Sequence, residues 1–125
     1  MSELTLLAEH QQLRRLRPWL DDHAADLEPS AIGRIELCVH ELAANVIDHS
    51  GAAEFSIHLT SRPSQLIVEL HDAGVAPDPR AAADLEPHPR VRGYGMMIAE
   101  QLASELSYER QGDVNVWRAT FDLLH

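Results

Sequence analysis

The run His40-Glu41-Leu42-Ala43-Ala44-Asn45-Val46-Ile47-Asp48-His49 decides how the chain is read. It lies in a helical pattern that starts near Ser30. Ile35, Val39, Leu42 and Val46 recur at helical spacing and form one apolar stripe. Leu37, Glu41, Asn45 and Asp48 form a second row beside it. Glu41 and Asn45 therefore leave the same helical face one turn apart. A carboxylate and a carboxamide so placed can act on one bound object.

Outward from this helix, the chain has the makings of one domain over residues 1–125. Its 125 residues suffice to bury about two-thirds of the unfolded surface. A hydrophobic share of 45% with 24% charged residues is ordinary for a globular chain. No apolar run approaches the ~20 residues needed to span a bilayer, and no signal-peptide pattern opens the chain. Cytoplasmic location without membrane contact is the expectation. The net charge of -10 argues against a nucleic-acid partner. All ten positive charges are arginines, so any phosphate contact must come from Arg or from backbone N–H groups. The single Cys38 lies mid-helix and is expected to pack as a small apolar residue.

Taken in order, residues 3–8 alternate weakly and suggest a first strand. Residues from His10 to about Ala25 follow a helical pattern bent at Pro18. Glu28-Pro29-Ser30 starts the next helix, with Ser30 as a candidate cap, and Ser50-Gly51 ends it. Phe55, Ile57 and Leu59 alternate with Ser56, His58 and Thr60, and farther on Leu66, Val68 and Leu70 alternate with Ile67 and Glu69. Ser61-Arg62-Pro63-Ser64 between them implies an antiparallel hairpin. Residues 75–91 hold Pro77, Pro79, Pro87 and Pro89 and read as a long functional loop. A helix opening at Arg92-Gly93-Tyr94-Gly95-Met96 follows, with Ile98, Leu102 and Leu106 spaced along it. Leu106–Arg110 and Val114–Leu124 read as two strands around a Gly112-Asp113 turn, with Trp117, Ala119, Phe121 and Leu123 on one face. The expected class is α+β. The expected architecture is a two-layer α/β sandwich with a mixed, mostly antiparallel sheet covered by helices on one face.

Three weak signals become specific through their order. A Glu-X-X-X-Asn helix comes first, then a strand ending in Asp72-Ala73-Gly74, then Arg-Gly-Tyr-Gly at a helix start. Gly93 and Gly95 allow close backbone approach to a polyanion, and the free N–H groups of the next helix face its phosphates. The Asn45 side-chain oxygen is a hard ligand suited to Mg²⁺. Glu41 can accept a proton from an attacking hydroxyl. Asp72 can accept a hydrogen bond from an exocyclic amine such as that of adenine.

The sequence resembles the GHKL (Bergerat-fold) ATPase superfamily, and within it the small anti-sigma-factor serine/threonine kinases. Glu41–Asn45 is similar to that family's N box and Asp72-Ala73-Gly74 to the first half of its G1 box. Residues 75–91 correspond to its ATP lid and Arg92-Gly93-Tyr94-Gly95-Met96 to its G2 box. The resemblance implies ATP and Mg²⁺ as ligands, with Asn45 on the metal and Glu41 as catalytic base. It places Asp72 and Gly74 at adenine, and Arg92, Gly93, Tyr94, Gly95 and Met96 around the phosphates. Asp48 and His49 occupy positions near the nucleotide. The G1 box usually continues to a second glycine; here the run is Gly74-Val75-Ala76-Pro77.

By the same resemblance, the partners would be a STAS-domain antagonist, phosphorylated on serine, and a sigma factor, held or released in turn. A homodimer through the first strand and helices is a further expectation. The alternative is a switch that binds nucleotide and a protein partner without chemistry. A sensor histidine kinase is disfavoured, because no phospho-accepting helix pair lies within these 125 residues.

Overall fold

The computed structural model describes residues 2–76 and 97–123. Strand β1 (Ser2–Leu7) leads through a 3-10 segment (His10–Arg15) into α1 (Leu16–His23) and α2 (Pro29–His49). A hairpin follows, β2 (Glu54–Arg62) and β3 (Gln65–Asp72). Then come α3 (Met97–Leu102) and a closing hairpin, β4 (Glu105–Gln111) and β5 (Val114–Asp122). The five strands lie in the order β1-β2-β3-β5-β4, and every pairing is antiparallel. The two-layer α+β expectation holds, with a purely antiparallel sheet among the described residues in place of the mixed one.

Period-two patterning makes the sheet two-faced. Phe55, Ile57, Leu59, Leu66, Val68, Leu70, Trp117, Ala119 and Phe121 all point inward and are buried. The stripe Ile35, Val39, Leu42 and Val46 lies within the same core, each residue at most 2% exposed. So α2 is the long helix laid on the sheet, and its neighbouring row, with Glu41 and Asn45, is left at the margin of the core.

Local chemistry corrects four sequence expectations. Residues 10–23 are a 3-10 turn followed by α1, not one bent helix. Pro18 falls in the first turn of α1, where its missing N–H would have no helical partner anyway. In α2 the cap is Glu28 and Pro29 is the first helical residue, so Ser30 lies inside the helix. Leu106 belongs to β4, not to the preceding helix, which ends at Leu102. That helix turns Ala99 inward and leaves Ile98 at 44% exposure. There the Cys38 thiol reaches the Ala99 carbonyl at 3.6 Å. Cys38 is fully buried, as a packing residue should be. Burial, followed by the nearby Glu41 carboxylate, pushes its thiol up to about 12. The expected start of the helix at residue 92 and most of the loop 75–91 lie outside the described residues.

The Gly112-Asp113 turn is as expected. Gly112 has φ +64, while no non-glycine among the described residues has a positive φ. That combination fits a type II′ turn, with its first central position requiring glycine.

The other face of the sheet is mostly polar, with Ile67 and Val116 among its polar residues. At its centre the His58 and His71 rings stack at 4.2 Å. His58 shares a 2.8 Å hydrogen bond with Ser56 Oγ, and His71 a 2.9 Å one with Glu69, which also accepts from Arg118. Partial burial, then the adjacent His71, lowers the pKa of His58 in spite of Glu3 and Glu69 nearby.

Two outcomes follow from this packing. Leu42→Ala removes a fully buried contact of α2 and is expected to cost about 2–5 kcal/mol in urea unfolding. His58 is the pH-sensitive position. Its folded pKa lies below the unfolded value near 6.5, so the unfolded chain takes up the proton first and stability falls as pH drops below ~6.5. Melting curves from pH 7.5 to 5 should show a steeper loss in the wild type than in His58→Gln.

Candidate functional site

The C-terminal ends of α2 and β3 meet at one corner of the fold. The Val75 N–H donates to the Ser50 carbonyl at 2.8 Å, tying the segment after β3 to the residue that caps α2. Gly74 makes that junction sterically necessary. A Cβ at position 74 would lie 2.3 Å from Ser50 O and 2.7 Å from Ser50 Cβ. Only glycine allows this approach.

Asp72, the last residue of β3, is 3% exposed and so is the buried acid of this corner. Its Oδ1 accepts from the Gly74 N–H at 2.9 Å and from Asn115 Nδ2 at 3.0 Å. Its Oδ2 is equally buried and has no hydrogen-bond partner among the described residues. On α2, Asn45 is 9% exposed and its Oδ1 is likewise buried and unpartnered. A buried acceptor left without a donor costs about 1–3 kcal/mol. Asn45 and Asp72 each keep a buried oxygen that a donor or cation from outside the protein could satisfy. Glu41, one turn before Asn45, is partly exposed, so its carboxylate can be reached from solvent.

The other expected residues fall as follows. Asp48 is exposed, and its Oδ1 pairs with His10 Nε2 at 2.8 Å, linking α2 to the 3-10 segment. His49 is exposed at the end of α2. Arg92, Gly93, Tyr94, Gly95 and Met96 lie outside the described residues. Helix α3, which begins directly after them, packs on α2 at Cys38, the turn ahead of Glu41.

Three residues that pattern reading passed over belong to this corner. Asn115 of β5 is 1% exposed. Tyr108 and Arg110 of β4 both donate to its Oδ1, at 2.6 and 2.9 Å. An asparagine in register with the inward-facing Trp117, Ala119 and Phe121 is the one signal that could have pointed here, since buried amides must be bonded.

The donor set suits a nucleotide with its metal. Asn45 offers a hard, neutral oxygen of the kind that Mg²⁺ accepts beside phosphate and water. Asp72 offers one bare carboxylate oxygen in a dry setting, suited to an amine donor. A purine ring above the Gly74 backbone would meet no side chain from that residue. The fold and this corner together define a GHKL-type ATPase domain. The chain belongs to the family described as the histidine kinase-like ATPase domain, which it matches over residues 6–121. Members of that family bind ATP, usually with Mg²⁺.

Solved structures agree on the fold. The chain is similar to a structure of the RsbU and RsbW domains of Rv1364c from Mycobacterium tuberculosis, with TM-score 0.64 and 18% identity. That match covers 98% of this chain and 33% of the other, so the chain spans about a third of that protein's length. The catalytic domain of histidine kinase ThkA matches with TM-score 0.56 and 13% identity, covering 98% of each chain. The Acinetobacter baumannii histidine kinase AdeS matches with TM-score 0.58 and 14% identity, covering 100% of this chain and 70% of that one. Among curated proteins none matches.

Gly74→Ala tests how tightly this corner is built. The added methyl group cannot enter without moving the Ser50 backbone. Thermal or urea unfolding should show a loss of about 1–3 kcal/mol.

Proposed function

We propose that the chain is an ATP-dependent protein serine/threonine kinase that also acts as an anti-sigma factor. On this reading it phosphorylates a serine of a STAS-domain antagonist and sequesters a sigma factor, and the phosphorylation state decides which partner is held. The observation that carries the proposal is the unpartnered, buried Asn45 Oδ1 with Glu41 on the same row one turn away. The similarity to a chain containing an RsbW domain supports it at the level of fold.

The roles follow from the chemistry of each group. Asp72 Oδ2 accepts a hydrogen bond from the adenine amine. Asn45 Oδ1 serves as a metal ligand. Mg²⁺ held there would supply positive charge to offset that of the phosphates. Glu41 accepts the proton that the substrate serine loses as its oxygen bonds to the γ-phosphorus and the bond to the ADP oxygen breaks. With no lysine in the chain, charge on the phosphates is met by backbone N–H groups and arginine. Strand β1 lies at the sheet edge, which leaves one of its sides available for pairing with a second copy.

A second reading has its own support. The run Gly74-Val75-Ala76-Pro77 lacks the second glycine usual in the G1 box, and Val75 is fastened to Ser50. A switch that binds nucleotide without transferring phosphate fits that stiffened segment.

Incubation with γ-labelled ATP, Mg²⁺ and a STAS-domain protein from the same genome separates the two. The kinase reading expects phosphoserine on the antagonist. Glu41→Ala should lower the transfer rate about 10²–10⁴-fold with nucleotide binding retained. Asn45→Ala should abolish the Mg²⁺ dependence of nucleotide binding. Antagonist binding without any phosphate transfer would leave only the switch.

A further inference from the structure

Strand register sets three polar residues in one cross-strand row. Asp72 of β3 stands opposite Asn115 of β5, and Asn115 stands opposite Arg110 of β4. The Asn115 amide is filled from both ends. Its Nδ2 donates to Asp72 Oδ1 at 3.0 Å and to the Val75 carbonyl at 2.9 Å, with Gly74 O at 3.5 Å. Its Oδ1 accepts from Tyr108 OH and from Arg110 Nη1. An amide has two N–H donors and two lone pairs, and all four are used within the protein. The orientation is unambiguous, because a guanidinium only donates and so must face the amide oxygen. Asn115 thus has nothing left to offer a ligand. It acts as a strut.

Arg110 anchors the strut. Its Nη1 also donates to the Gly74 carbonyl at 2.8 Å, and its Nε to the Gly112 carbonyl at 3.2 Å. One exposed guanidinium thereby joins the closing hairpin, the strut and the segment after β3. The consequence falls on Asp72. With Oδ1 held by two donors, only Oδ2 is free, and its direction is set by the row.

We propose that Arg110, acting through Asn115, is a positioning residue that fixes Asp72 so that one bare carboxylate oxygen selects a 6-amino purine against a 6-oxo purine. An amine donates to that oxygen, whereas a 6-oxo group presents a second acceptor to it. The same three bonds to Gly74 and Val75 fix a segment that lacks the usual second glycine. The proposal rests on the corner being the ATP site.

The test is equilibrium binding of fluorescently labelled ATP and of the matching inosine triphosphate, which differ at the 6-position of the base. Wild type should bind ATP about tenfold tighter or more. Arg110→Met, an exposed change that keeps the aliphatic stem, should weaken ATP by about tenfold while leaving inosine triphosphate within about twofold. Arg110→Lys, with a donor retained, should recover part of the difference. Asn115→Ser should lose the preference in the same way, and far-ultraviolet circular dichroism with melting confirms that each variant is folded. Parallel weakening of both nucleotides, or an unchanged ratio, would overturn the positioning role while leaving the ATP site intact. Wild type that binds neither nucleotide would remove the ATP site itself, and this proposal with it.

Discussion

The structure depends on one junction, where the end of β3 is sewn to the end of α2. A single backbone hydrogen bond, Val75 N–H to Ser50 O, marks it, and Gly74 gives it the room. Without that contact Asp72 and Asn45 would be two unrelated polar residues on two elements. With it the ends of their two elements are joined, and each residue holds a buried oxygen that nothing in the described protein satisfies. The core explains why the junction holds. The apolar stripe of α2 is fully buried with the inward residues of β2, β3 and β5. The helix therefore cannot slide or roll to cover its own orphaned oxygen without withdrawing core residues from contact.

Burying acceptors without donors opposes folding, and the fold offsets it elsewhere. The sheet and α2 share a continuous apolar core, and the polar network around Asn115 is closed at every position that protein groups can reach. On the residues of the candidate site, what remains open is Asp72 Oδ2 and Asn45 Oδ1, each matched to a different chemistry. One is an anionic oxygen suited to a neutral N–H donor. The other is a neutral oxygen suited to a cation, where a second negative group would compete with phosphate. A site made for water or a structural ion alone would not need this division. On the function proposed above, the division matches a purine nucleotide and its metal.

Much of this was legible in residue spacing. The stripe of α2, the alternation in β2, β3 and β5, and the glycine turn at Gly112 all follow rules of local period. So did the Glu41–Asn45 row, because four residues make one helical turn. The misreadings share a cause. Leu106 fits a helix at steps of four and a strand at steps of two, and its pairing with Ala119 of β5 places it in the strand. Pro18 breaks a helix or begins one according to where the first turn falls, which tertiary packing fixes. Asn115 and Arg110 were invisible for a different reason. Asp72 and Asn115 are 43 positions apart, and what joins them is the pairing of β3 with β5.

That last case bears on how specificity is written into a small sheet. A base-recognising acid needs a direction as well as a position, and a strand terminus supplies position only. Direction comes from neighbours across the ladder, whose identity a linear motif does not record. Here the direction is set by an amide with no free valence and a guanidinium that bonds three groups of the protein at once. Arginine suits that task better than lysine, since its planar fork can donate along several fixed lines together. A chain whose ten cations are all arginine has that geometry available wherever a cation is placed. At residue 110 it is spent on holding Asp72 through Asn115 and the segment after β3.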